Sequence, residues 1–416
     1  MGIDNRGGGN PGVIKKAQTT QLRVGMFVHD FNCGWLENPF FAKQLLLKSE
    51  KEIEKIISVG IHELYIDTSK GLDIANAPTE AEVKKEIRTE MAKIDDHKAE
   101  VITVPMKEEL KEAQKCKTEA KKLITNIMQD VRMGKQVELE SVDNAVENMM
   151  DSIFRNQGAL TSLSRLKSKD EYTFMHSVNV CVLMISFCKS SDVDKATIRK
   201  IGSGALLHDI GKMQVPQEVL NKPAKLTDEE FEQMRSHVVQ SKLILSKTDG
   251  ISQEAIEVAG QHHERYDGSG YPDKLKGAEI SHFGQMASIV DVYDAITSDR
   301  VYHKGLDSTD ALKKIFEWSK FHFDPVLVQL FIKTVGIYPV GTLVRLESGL
   351  LGVVCEPGKE SMLKPVVRAI YDSKRERFLS APKDLDLAAS GNADRILGSE
   401  SPSKWNIKPF DFIEIL

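Results

Sequence analysis

The sequence predicts a mainly α protein: a long helical bundle with a small α+β module before it and a short β-rich region after it. Three observations carry that prediction. Apolar residues recur at helical spacing through most of residues 139–335, as in Val142, Ala145, Val146, Met149, Met150 and Ile153. Short strand-like runs, many of them rich in β-branched residues, appear in residues 13–75 and again after Gly336. Gly60 stands where a helix at Lys48–Val59 should stop, and the helical character of the chain changes after Gly336.

In chain order, residues 1–12 read as a flexible leader. The string MGIDNRGGGNPG lacks the apolar core of a signal peptide, and Arg6 stands where a myristoylation site wants Ser or Thr. Residues 13–75 form the small α+β module, with strand-like runs at Gln21–Phe31 and Glu63–Asp67 around a helix near Lys48–Val59. Residues 76–138 are charged linking or packing helices, opened by a Thr79-x-x-Glu82 capping box. Within them Met106, Leu110, Ala113, Lys117, Ala120, Ile124, Ile127 and Val131 make a coiled-coil-like stripe broken only at Lys117. That stripe suits either packing on its own domain or a homodimer contact. The bundle at 139–335 contains a second capping box, Thr227-x-x-Glu230, and a turn-rich interruption, Gly-Ser-Gly-Tyr-Pro, at 268–272. Residues 336–416 are the β-rich region, with strands expected at Thr342–Leu346, Gly352–Cys355, Val366–Tyr371 and Phe412–Ile415.

Composition excludes several functional classes. With 56 basic against 61 acidic side chains the net charge is −5, so no nucleic-acid polymer is bound by bulk electrostatics. A local basic pocket for a small phosphorylated ligand stays open. The five cysteines are odd in number, scattered and without a C-x-x-C, which indicates a reducing, cytoplasmic setting and neither a disulfide framework nor a thiolate zinc site. The longest near-apolar run, Val178–Cys188, is too short for the roughly 20 residues of a membrane span.

Histidine is the unusual residue. Of 11, eight (His176, His208, His237, His262, His263, His282, His303, His322) fall in the bundle. His208-Asp209 ends an apolar helix, with Gly211 as a plausible helix stop. The doublet His262-His263 opens a polar, glycine-rich stretch, and Asp291 precedes another apolar helix. Singly each is ordinary. Together they are the pattern by which bundles build metal sites from ligands on facing helices.

Four ordered motifs carry a resemblance: Tyr172-x-x-x-His176-Ser177-x-Asn179-Val180, His208-Asp209-Ile210-Gly211-Lys212, His262-His263-Glu264-x-x-Asp267-Gly268-x-Gly270-Tyr271-Pro272, and Asp291-x-Tyr293-Asp294-Ala295-x-Thr297-Ser298-x-Arg300. Over about residues 140–335 the chain resembles the HD-GYP phosphodiesterases. Residues 13–75 resemble the small domain of unknown function that often precedes HD-GYP domains in bacteria. The resemblance implies an all-helical HD-type metal-binding bundle that hydrolyses cyclic di-GMP with divalent metals, usually iron or manganese, and a GGDEF-type protein partner. The implied ligands are His176, His208, Asp209, His237, His262, His263 and Asp291, with Asp209 bridging. Lys212 would contact the scissile phosphate and Arg300 another substrate phosphate, with Tyr271 a further substrate contact.

Two departures matter. Three-metal members carry Glu four residues before the first His, where this chain has Tyr172; Glu171 is one residue off, about 100° around a helix. Two metals are therefore expected. His303 stands where Lys or Arg often assists substrate, and the adjacent Lys304 is carried as a candidate contact.

The chemistry agrees with the resemblance. Two cations about 3.5–4 Å apart acidify a bridging water and neutralise charge on the phosphoryl oxygens. The expected reaction is in-line attack by that hydroxide, giving pGpG and then GMP. Cyclic GMP-AMP is an alternative substrate, because no guanine-reading residue is evident. A catalytically silent binding or scaffolding HD domain is the alternative of another class.

Overall fold

The computed structural model describes residues 13–34, 38–40, 42–95, 103–165, 172–299, 304–358 and 360–413. The predicted leader, Glu171, Arg300 and His303 lie outside the described residues, as does the side chain of Tyr172. Two compact units divide the chain, Met1–Glu90 and Met91–Leu416.

The first unit contains β1 (Ile14–Gln18), a 3-10 turn at Thr19–Gln21, β2 (Phe27–Asp30), β3 (Leu45–Leu46), α1 (Glu50–Ser58) and β4 (Glu63–Asp67). Its antiparallel sheet has the order β1-β4-β2-β3. Val28, Leu64 and Ile66 from the sheet pack with Ile53 and Ile56 of α1 into a dry core. Ser49 and Glu52 form a capping box that starts α1, and Gly60, at φ +78°, follows its end. The predicted strand Gln21–Phe31 is shorter than expected. Gln21 closes the 3-10 turn and Gly25 turns the chain at φ +96°, so extended backbone begins only at Phe27.

The helix α2 (Glu80–Lys93), started by Thr79 and Glu82, leads into the second unit. There follow α3 (Met106–Arg132), α4 (Leu139–Arg155), α5 (Gln157–Ser164), α6 (Tyr172–Ser190), α7 (Lys195–Leu207), α8 (Gln217–Leu220), α9 (Asp228–Ser246), α10 (Gln253–Gln261), α11 (His282–Thr297), α12 (Ser308–Trp318) and α13 (Pro325–Val335). The centre of this bundle is α6. It packs on α7, α11, α13 and the α3–α5 group, and it is buried from Ser177 to Cys188. That explains a composition apolar on every face: Thr173–Ser190 is long and apolar enough to cross a bilayer, yet 72% of it is buried within the protein.

The stripe on α3 has one of its two suggested uses. Leu110, Ala113, Lys117, Ala120, Ile124, Ile127 and Val131 are all buried, and α3 packs on α4, α5 and α6 of its own chain. The stripe is thus covered and unavailable as a homodimer seam. Lys117, its polar break, satisfies its ammonium by donating to the Leu163 carbonyl. Glu109 and Arg155 join α3 to α4 through paired hydrogen bonds of 2.6 and 2.8 Å.

The chain ends in β5 (Leu343–Leu346), β6 (Leu350–Glu356), β7 (Val366–Asp372), β8 (Arg377–Asp386), β9 (Ile396–Ser399) and α14 (Pro402–Trp405). The antiparallel order is β8-β7-β6-β5-β9, over a core that includes Leu343, Leu351, Val353, Ile370 and Ile407. The predicted strand at Phe412–Ile415 is corrected. Pro409 lacks a ladder donor, and Pro409–Phe412 forms a 3-10 turn; the end of that predicted strand lies outside the described residues.

Candidate metal centre

Five helices and one loop converge on a buried cluster. His176 projects from α6, His208 caps the C-terminus of α7, and Asp209 opens the following 3-10 turn. His237 sits on α9, His262 ends α10 with His263 next, and Asp291 lies on α11. His176, His208, Asp209, His237, His262 and Asp291 are all buried. His263, partly exposed, joins them with Nδ1 3.8 Å from Asp291 Oδ2, so the seven residues assigned as metal ligands from the sequence are brought together.

Local folding sets the direction of four of the imidazoles. In His208, His237 and His262, Nδ1 donates to the carbonyl three residues earlier, at 2.8 Å to Ala205, 2.6 Å to Met234 and 2.9 Å to Ala259. The proton is thereby placed on Nδ1, and Nε2 presents a lone pair. His176 is fixed differently. Its Nδ1 lies 2.7 Å from Asp294 Oδ2, and Asn179 donates to the other Asp294 oxygen at 3.2 Å.

The lone pairs point at one another. His237 Nε2 is 3.4 Å from His262 Nε2 and 3.4 Å from Asp209 Oδ1. On the other side of Asp209, Oδ2 lies 3.3 Å from His208 Nε2 and 3.7 Å from His176 Nε2. Asp291 completes that side, 2.9 Å from His176 Nε2 and 3.7 Å from His208 Nε2. Asp209 thus stands between two groups of donor atoms, and His208 Nε2 and Asp209 Oδ1 are buried with no hydrogen-bond partner among the described residues.

Electrostatics reinforce the arrangement. Burial pushes His237 down to about 3 and His263 to about 4, and holds His262 well below its ordinary range. These rings are neutral at pH 7. Burial opposes the charge of Asp209, but Lys212 and the neighbouring histidines override it and keep the carboxyl well below its usual pKa. Burial also opposes protonation of His176, where Asp291 and Asp294 prevail and raise it to about 9. The neutral His237 and His262 Nε2 atoms and Asp209 Oδ1 face one another without a shared proton and repel; a cation between them removes that repulsion. The donor set, imidazole and carboxylate without thiolate, fits a divalent metal ion.

A glycine makes the geometry reachable. A Cβ on Gly211 would stand 2.0 Å from the His237 carbonyl and 2.4 Å from Ser241 N. The turn that carries Asp209 therefore lies directly against the stretch of α9 that carries His237, joined there by a 2.9 Å bond from Gly211 N to Ser241 Oγ. The sequence reading of Gly211 as a helix stop gives way to this close approach. Lys212, on the same turn, places its ammonium 2.5 Å from Asp209 Oδ2.

The glycine-rich loop closes one side. Buried Glu264 accepts from Asp273 N at 2.8 Å and Leu275 N at 3.0 Å, which ties the loop to its own start. Tyr271 stacks on His263, ring centres 4.7 Å apart. Lys304 is exposed. Arg235 went unnoticed in the sequence. Its guanidinium lies 4.8 Å from the Tyr271 ring centre, and its only signal is a place two residues before His237 on α9.

With this geometry in view, comparisons with known proteins are informative. Residues 147–327 match the HD domain model, and residues 14–142 match a domain of unknown function, DUF3391. The cyclic di-GMP phosphodiesterase PA4108 of Pseudomonas aeruginosa is 40% identical over 400 residues, which cover 96% of this chain and 95% of that protein. The chain belongs to the HD-GYP phosphodiesterases. A cyclic di-GMP phosphodiesterase of Vibrio cholerae is 35% identical over 47% of this chain and 44% of its own length. The 3'3'-cGAMP-specific phosphodiesterase 2 of the same organism is 36% identical over 32% of this chain and 26% of its own. As an HD-GYP protein the chain is a metal-dependent phosphoric diester hydrolase.

Proposed function

We propose that this HD-GYP protein hydrolyses cyclic di-GMP in the cytoplasm, opening the ring to pGpG and continuing to GMP. The observation that carries the reading is the facing of neutral His237 and His262 Nε2 atoms, 3.4 Å apart, beside the unpartnered Asp209 Oδ1. The full-length likeness to PA4108 supports cyclic di-GMP as the substrate.

His176, His208, Asp209, His237, His262, His263 and Asp291 would hold two divalent cations, iron or manganese, with Asp209 shared between them. When bound, such cations supply positive charge to the phosphodiester oxygens and lower the pKa of water. The chain's own residues do the rest. Ala205, Met234 and Ala259 carbonyls and the Asp294 carboxylate keep the Nε2 atoms of His208, His237, His262 and His176 aimed inward. Lys212 offers its ammonium to the scissile phosphate, and Arg300, Tyr271 and Lys304 contribute to substrate binding. Burial of the cluster excludes bulk water and strengthens every charge within it.

The test is direct. Protein loaded anaerobically with iron or manganese is incubated with cyclic di-GMP and with cyclic GMP-AMP, and the products are separated. Turnover of cyclic di-GMP is expected. Turnover of cyclic GMP-AMP alone would reassign the substrate, a reading favoured by the identity to the Vibrio cholerae enzyme. No turnover of either with metal bound would leave a silent binding domain.

A further inference from the structure

Arg235 stands beside the cluster with its guanidinium held between two rings. Its central carbon is 4.7 Å from the centre of the Phe231 ring and 4.8 Å from that of Tyr271. The Tyr271 ring in turn stacks on His263 with the planes 28° apart. Phe231 lies one helical turn before Arg235 on α9, so half of this clamp follows from helical spacing alone. A clamped arginine has already lost most of the rotamer freedom that binding an anion would otherwise remove.

Its hydrogen bonds leave most of the fork unengaged. Nη1 donates to Glu232 Oε1 at 2.8 Å, Nε is buried without a partner, and among the described residues Arg235 makes no other hydrogen bond. The side chain remains 36% exposed and therefore open to a ligand. A guanidinium that is flat, fixed and accessible matches the oxygen pair of a phosphate.

The proposed substrate carries two phosphates, and this inference rests on that reading. Lys212 and the cluster serve the phosphate that is cut. The other keeps a full negative charge, for which Arg300 is carried as one contact and the clamped Arg235 offers a second cation. We propose that Arg235 binds the uncut phosphate of the cyclic dinucleotide, with Tyr271 as the platform that fixes it beside His263.

The experiment compares the full-length protein with Arg235→Gln and Arg235→Lys, all loaded with manganese and assayed for bound metal. Each is tested on cyclic di-GMP and on bis(p-nitrophenyl) phosphate, which has a single diester. Arg235→Gln should raise KM for cyclic di-GMP about 10- to 100-fold. Its kcat, its metal content and its action on the single diester should stay within about twofold of wild type. Arg235→Lys, which keeps the charge and loses the fork, should recover part of the KM.

An unchanged KM in Arg235→Gln, with wild type active on cyclic di-GMP, overturns this inference alone. Equal losses on both substrates, or lost metal, overturn it too and make Arg235 a support for Tyr271 and His263. A wild type that cleaves only the single diester overturns the cyclic-dinucleotide reading and this inference with it.

Discussion

His176 Nδ1 stands 2.7 Å from Asp294 Oδ2, while the Nε2 of the same ring lies 2.9 Å from Asp291 Oδ1. One imidazole is thus held between two carboxylates one turn apart on α11, one to orient it and one to share its site. The Asp294 carboxylate is itself fixed by Asn179, while the Ser298 hydroxyl donates to the Asp294 main-chain carbonyl at 2.7 Å. Replacing Asp294 with Ala removes the group that orients His176 and leaves its Nδ1 buried without an acceptor. Metal affinity, read by competition with a chelating dye, should fall about 10- to 100-fold, with activity following it. Unchanged affinity would show that α6 packing alone positions the ring.

The contact of Gly211 with α9 predicts a sharper effect. In Gly211→Ala the new methyl meets the His237 carbonyl at 2.0 Å, and backbone on both sides leaves no flexible group to yield. The turn and α9 must separate, which moves Asp209 away from His237. Urea denaturation should show a loss of about 1–3 kcal/mol, together with lower metal content. Wild-type stability in both readouts would mean that the two elements separate freely.

Those two residues also show what was legible. His176, His208, His262 and Asp291 could be assigned because ordered motifs mark them, and the boxes at Thr79 and Thr227 because helix caps are local signals. The reason for Gly211 was not local: it depends on α9, some thirty residues on. Arg235 was hidden likewise, since its value comes from Tyr271 on a distant loop. Strand β8 escaped because nearly every residue of it is exposed and it holds Pro382, so no alternation marks it. Strand β1 escaped because Lys15 and Lys16 interrupt its apolar pattern; they pair with Asp73 and Glu63.

Metal should stabilise the fold as well as enable catalysis. The unpartnered His208 Nε2 and Asp209 Oδ1 are a cost to the folded state that a bound cation removes. Manganese at about 100 times its dissociation constant should add about 2.7 kcal/mol and raise Tm by several degrees. In Asp209→Ala that rise should vanish along with turnover. In His282→Ala, an exposed histidine outside the cluster, it should persist. A rise retained in Asp209→Ala would exclude the shared-ligand role.

Away from the metal centre, Asp307 predicts a dependence of stability on pH. It caps α12 by accepting from Thr309 N at 3.0 Å, while burial, opposed only in part by that bond and by Lys313 and Arg165, raises its pKa to about 6. The ordinary value is near 3.8. Between the two values the folded protein keeps a proton that the unfolded chain has released, so stability falls as pH rises from about 4 to 6 and stays lower above. Asn at this position keeps the cap and carries no charge. Asp307→Asn should therefore be more stable than wild type at pH 7.5 by about 1 kcal/mol, a figure reduced for the partial exposure of the carboxyl. That advantage should shrink to nothing near pH 4, where wild-type Asp307 is neutral when folded. Urea unfolding of both proteins at pH 4.5, 6 and 7.5 measures it, and a pH-independent difference would assign the effect to the cap rather than to the charge.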